Sequence, residues 1–165
     1  MLPQIKTILY ATDVGPVGPH VFRYAMAMAE RHDATIVAVS VLEPLGTFGQ
    51  SLVDSYVSKT TLDKLRAEGL EKLKAELRER LQEFCATEFD EAAVCMSRVG
   101  EVLVRSGQPA EAIIKEAKRV NADVIVMGSH GHSAFGEMLL GSVAHKVTQR
   151  SPVPVLLVPV REDEG

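Results

Sequence analysis

The sequence predicts a doubly wound α/β domain, with a five-stranded parallel sheet in the order 3-2-1-4-5 and helices on both faces. Three observations predict it. Short, nearly continuous apolar runs recur along the chain. Each is followed by a loop and a stretch of helical periodicity. The runs are rich in Val and Ile, as strands covered on both faces are. At 165 residues the chain fits one domain, taken as 1–165.

Composition narrows the function. With 46% hydrophobic and 24% charged residues, a core can form without staples. The net charge of −4 and the lack of a basic cluster argue against a nucleic-acid partner. No run approaches about eighteen apolar residues, so no membrane insertion is expected. The start MLPQIKTILYATD has no leader pattern, and a cytoplasmic setting is expected. Cys85 and Cys95 are ten residues apart with no CxxC, and read as reduced, partly buried thiols.

The first strand is Ile5–Ala11, ending in Thr12-Asp13, and Val14–Pro19 is a loop by its Gly and Pro content. Val21, Phe22, Ala25, Met28 and Ala29 recur at helical spacing up to about Arg31. Ala34–Leu42 is the second strand, and residues 43–57 read as a long loop. A long helix follows, with Leu62, Leu65, Leu70, Leu73, Leu77, Leu81 and Phe84 on one side. Asp90–Ser97 reads as a short helical turn and Val99–Arg105 as the third strand. Pro109 opens the next helix, where its missing N–H costs nothing, and Asn121 suits its C-terminal end. Asp123–Met127, a helix over about Ser142–Gln149 and Val153–Val158 complete the pattern.

In such sheets ligands sit at the carboxyl ends of the strands where the order reverses, here between strands one and four. Asp13 follows the first of these strands and Gly128 the other. The segment from Gly128 reads G-x2-G-x9-G-S, carried by Gly128, Gly131, Gly141 and Ser142. Glycines let backbone approach a ligand closely, and the free N–H groups at the start of a helix attract phosphate.

This segment resembles the signature of the universal stress protein family, in its ATP-binding branch. The likeness extends to Asp13 after strand one, to Gly107, Pro109 and Ile113, and to PVPVLLV at Pro152–Val158. It implies ATP with Mg²⁺ as ligands. Thr12 and Asp13 would meet the ribose or adenine end, and the backbone at Val41 would read adenine. Met127, Gly128, Ser129, His130 and Gly131 would line ribose and phosphates, and Gly141, Ser142 and Val143 would hold the phosphate tail. Mg²⁺ would sit on the phosphate oxygens, with Asp13 as the candidate protein ligand. Many relatives carry D-x-S after strand one, where this chain has Asp13-Val14-Gly15.

Other chemistry is weaker. His130 and His132 lack further ligands for a metal. No G-x-x-x-x-G-K-[ST], G-x-G-x-x-G or G-x-S-x-G is present. No lysine or arginine lies between Gly128 and Ser142, Lys146 and Arg150 lie beyond them, and Glu137 is the loop's one carboxylate. The reading is therefore a nucleotide-dependent regulatory switch with slow ATP turnover. Ser129, Ser133 and Ser142 are the nearest hydroxyls should slow autophosphorylation occur. The alternatives are an ATP-splitting enzyme of the same superfamily, which would want an S-G-G-x-D-S motif after strand one, and a non-nucleotide assembly module. The apolar final strand at the sheet edge, and its use by relatives, imply a homodimer or a tetramer through Val153–Val158.

Overall fold

In the computed structural model, which describes residues 1–130 and 140–160, the strands are β1 Thr7–Ala11, β2 Thr35–Leu42, β3 Val99–Ser106, β4 Val124–Gly128 and β5 Val155–Val158. The helices are α1 Gly18–His32, α2 Thr47–Tyr56, α3 Lys59–Glu88, α4 Ala92–Ser97, α5 Pro109–Arg119 and α6 Ser142–Arg150. All strand pairs are parallel and the order is β3-β2-β1-β4-β5, as expected.

Alternation along the central strands sorts side chains to two cores. Ile8, Tyr10, Ile36, Ala38, Val124 and Val126 face α1, α3 and α4. Leu9, Ala11, Val37, Val39, Ile125 and Met127 face α5 and α6. Chain-reversal chemistry sits where the sequence places it. Asn121, at φ 51°, takes the left-handed conformation after α5, while Ala122 N–H donates back to the Ala117 carbonyl at 2.9 Å. Asp33 does the same after α1, at φ 52°. β5 starts two residues later than expected, because Ser151 Oγ donates to the Val153 carbonyl and accepts its N–H in a turn that delays the strand.

Buried between α5 and the edge strand β3, Glu116 accepts from Arg105 Nε at 2.8 Å and Arg119 Nε at 2.6 Å. Burial pushes its carboxyl up, but the two guanidiniums overcome this and hold it below the ordinary range.

Three expectations need correction. Residues 43–57 are not a plain loop, for ten of them form α2. Phe48, Leu52 and Tyr56 recur along it at helical spacing, yet the helix buries none of its residues. In α3, the leucine side expected from Leu62 onward is buried only at Leu77, Leu81 and Phe84, and Leu65 is exposed. A 30-residue helix is about 45 Å long, whereas eight-residue strands span about 27 Å, so the first half of α3 runs past the sheet. Finally, Cys85 and Cys95 are not reduced thiols but form a disulfide joining α3 to α4, with a Cα–Cα distance of 5.6 Å. The chain reverses between them at Phe89–Glu91, bringing together residues whose spacing showed no pairing.

Closing a loop of ten residues removes chain entropy worth about 2–3 kcal/mol from the unfolded state. Urea unfolding should therefore show wild-type protein losing about that much stability on reduction, while Cys95→Ala is insensitive to reductant. Equal midpoints for wild type with and without reductant would show that the sulfurs are unbonded.

Candidate functional site

β1 and β4 are adjacent, but the helices that follow them leave on opposite faces: α1 packs on one core and α6 on the other. The loops diverge and leave a cavity of about 760 Å³ at the carboxyl ends of the strands. Ligand sites in sheets of this kind occupy this position.

One wall is the end of β2. In a parallel ladder, alternate residues point their N–H and C=O to opposite neighbours. The Leu42 carbonyl accepts from Gly107 N–H at 3.1 Å on the β3 side, and the Val39 carbonyl accepts from Thr12 N–H at 3.0 Å on the β1 side. Val41 therefore faces β1, beyond the last β1–β2 rung at Ala11↔Val39. Among the described residues its amide and carbonyl have no partner on β1 and none outside the strands. They offer a donor and an acceptor side by side at the cavity edge.

The β1–α1 loop forms a second wall. Thr12 Oγ1 accepts from Val14 N–H at 3.1 Å and Asp13 Oδ1 from Gly15 N–H at 2.9 Å. Val14 has φ 61°, in the left-handed region that β-branched residues seldom enter. Tyr10 underlies this loop. Its phenol is pushed up to about 12, chiefly by burial, with the nearby Thr12 hydroxyl opposing the shift and the Asp13 charge adding to it.

The third wall is the end of β4, at Met127, Gly128, Ser129 and His130. A Cβ on Gly128 would lie 3.3 Å from the His130 carbonyl oxygen and 3.3 Å from Val160 Cγ2, so glycine allows a tight approach here. Ser129 is a junction: its N–H donates to Val158, its hydroxyl accepts from Val160 N–H at 3.2 Å, and its carbonyl accepts from Gly141 N–H at 2.8 Å. That last bond ties the start of α6 to the end of β4. His130 Nδ1 lies 2.9 Å from Ser129 Oγ, and its buried Nε2 has no hydrogen-bond partner among the described residues. The expected contributions of Gly131, His132, Ser133 and Glu137 lie outside the described residues.

The fourth wall is the first turn of α6, where Gly141, Ser142 and Val143 line the cavity. Gly141, at the N-cap, supplies no side-chain cap, and no acidic residue stands in the first turn. Among the described residues no side chain caps the amide N–H groups of that turn, at the positive end of the helix, a setting that suits an anion. Every described residue predicted for the site, including Thr12, Asp13 and Val41, lines this one cavity. Sequence reasoning missed Tyr10, Ser40, Glu43 and Leu73, which also line it. Tyr10 and Ser40 had a legible signal, since they lie in the terminal rungs of strands already assigned. Leu73 had none, because its place depends on how α3 crosses the sheet. Among the described residues no cluster of three or more His, Cys, Asp or Glu could hold a metal by itself.

Fold and site together define a doubly wound α/β protein with a crevice at the switch point of its sheet. The universal stress protein family matches residues 4–159, and the chain belongs to that family. It is 33% identical to a universal stress protein of Thermus aquaticus, encoded in the QAH/OAS sulfhydrylase 3′ region, over 94% of this chain and 99% of that one. The fold resembles the universal stress protein UspA from Lactobacillus plantarum, with a TM-score of 0.70 at 22% identity, covering 95% of this chain and 99% of the other. It also resembles a universal stress protein solved in complex with cAMP, with a TM-score of 0.59 at 22% identity over 95% and 98% of the two chains.

Proposed function

We propose that this protein binds ATP with Mg²⁺ in the β1–β4 crevice and acts as a nucleotide-dependent regulatory switch that turns ATP over slowly. The observation that carries the reading is the pairing of two unlike sets of open backbone groups on one cavity. Val41 offers a donor–acceptor pair at one wall, matched to the N1 and N6 edge of adenine. The uncapped start of α6 offers donors to phosphate at another. Thr12 and Asp13 lie on the wall of the β1–α1 loop, where a ribose would meet them. The Asp13 carboxylate is the candidate protein ligand for Mg²⁺ held on the phosphates. The related protein bound to cAMP carries an adenine nucleotide on this fold, which supports the choice of ligand class.

Slow turnover follows from what the crevice offers. Backbone N–H groups hold ground-state phosphates, whereas fast transfer needs cations placed against transition-state charge and an oriented nucleophile. Arg150 lies in the last turn of α6, at the opposite end from the open donors. The proposal keeps a cytoplasmic setting. Among the described residues no helix is long and apolar enough to cross a membrane.

Mass spectrometry of the purified protein should find ATP with the chain, and a steady-state assay should give turnover far below the enzyme median of about 10 per second. Several turnovers per second would favour the ATP-splitting enzyme, and failure to bind added ATP would favour the assembly module. Ser142→Asp should separate binding from folding. A carboxylate in the first turn of α6 favours the helix by about 0.3–1 kcal/mol but repels a triphosphate. The thermal midpoint should hold or rise while ATP affinity falls at least about tenfold, and unchanged affinity by calorimetry would remove α6 from the site.

We also propose a homodimer, or a tetramer built from such dimers, through the final strand. β5 is a sheet edge, and Val153, Val155, Leu156 and Leu157 remain partly exposed there. An apolar edge invites a second copy, and Pro154 favours side-chain packing over a continuous ladder. Light scattering at micromolar concentration should report a dimer or larger, and Leu157→Lys should shift it toward monomer. A wild-type monomer would remove the interface.

A further inference from the structure

The loop carrying Asp13 is held from beneath by a buried phenol. Tyr10, only 2% exposed, packs its ring on Phe22 with centroids 5.1 Å apart. Its hydroxyl donates to the Gly18 carbonyl at 3.0 Å, tying β1 directly to the first residue of α1. The Thr12 hydroxyl lies on the same side of Gly18 and accepts Val14 N–H at 3.1 Å. Gly18 closes against both: a Cβ there would lie 3.4 Å from Tyr10 Oη and 3.5 Å from Thr12 Oγ1. The phenol therefore clasps the far end of the Thr12–Gly18 loop back onto β1, the strand from which the loop departs.

A second observation shows that the loop is held under load. Val14 keeps φ 61° although it is β-branched, and its side chain is buried among the residues that face α1 and α3. Such a conformation persists only where its surroundings over-determine it, and it concentrates at ligand-contacting positions. Asp13 stands between Thr12, whose hydroxyl accepts Val14 N–H, and Val14, fixed by burial. Its carboxylate accepts Gly15 N–H within the same turn, so it is carried by the loop that the phenol holds, and Asp13 lines the cavity.

We propose that the Tyr10 hydroxyl is a positioning group that aims Asp13 at the ribose hydroxyls of the bound nucleotide and so sets the protein's preference for a ribose over a deoxygenated sugar. The inference rests on the nucleotide reading above. Tyr10 touches no ligand in this scheme; it acts through Gly18 and the strained turn at Val14. Tyr10→Phe keeps the ring on Phe22 and removes only the clasp, which lets Val14 relax and Asp13 turn away.

The test measures ATP and 2′,3′-dideoxy-ATP by calorimetry in the presence of a chelator, which removes any Asp13–Mg²⁺ contact from the comparison, well below each protein's unfolding midpoint. Wild type, Tyr10→Phe, Asp13→Asn and the double variant are compared. Tyr10→Phe should weaken ATP about tenfold, the order of one positioned hydrogen bond, and leave dideoxy-ATP unchanged. The double variant should be no worse than Asp13→Asn alone. Amide exchange over residues 12–18, read without nucleotide, should quicken in Tyr10→Phe. Equal losses for both nucleotides, additive losses in the double variant or unchanged exchange of the loop would each overturn the inference. Failure of the wild-type protein to bind either nucleotide, with Mg²⁺ or without it, would instead overturn the ATP reading, with the exchange measurement still reporting whether the phenol holds the loop.

Discussion

At the β1–β4 boundary, two crossovers leave one sheet in opposite directions, and the rest of the site depends on that divergence. α1 must cover the face lined by Ile8, Tyr10 and Val126, while α6 must cover the face lined by Leu9, Ile125 and Met127. Right-handed connection of parallel strands leaves no other arrangement. The loops after β1 and β4 therefore part, and the cavity opens where they do. No side chain is needed to create it; side chains only shape it.

The same divergence explains why backbone groups dominate the crevice. β1 ends before β2 does, so Val41 presents an amide and a carbonyl that would otherwise be spent on the ladder. α6 begins at an uncapped glycine, so its first turn presents donors that a Ser or Asp cap would have satisfied. Both are unmet backbone valences, which normally cost free energy when withdrawn from water. A ligand carrying an adenine-like edge and a phosphate chain would meet both. The junction at Ser129, bonded to Val158, Val160 and Gly141, holds the second set in register with the sheet.

Away from the crevice the chain is reinforced differently. The Cys85–Cys95 bridge and the core contacts of Leu77, Leu81 and Phe84 fasten only the second half of α3. α2, with Phe48 and Tyr56 exposed, and the first half of α3 lie beyond the part of the sheet that could bury them. Leu73, where α3 reaches the cavity, lies between the fastened and unfastened parts.

The sequence by itself determined the class of fold, the five strands and the two loops at the switch point. Those features are written in local terms: apolar runs, Pro109 at a helix start, Asn121 at a helix end, and glycines at G-x2-G-x9-G-S spacing. Ten of the eleven expected site residues line one cavity for the same reason, each sitting at a strand end or a helix start, and Gly131 lies outside the described residues. α2 was missed although Phe48, Leu52 and Tyr56 recur at helical spacing, because the segment is short and Gly49 within it lowers its helix propensity. The disulfide was not legible either, because two cysteines ten residues apart meet only if the chain between α3 and α4 turns back on itself. Nor could any local pattern reveal the strained turn at Val14 or the phenol beneath it. The hydrogen bond at Val14 is local, from its N–H to Thr12, but the burial against α1 and α3 that holds a valine in the left-handed region comes only with tertiary structure.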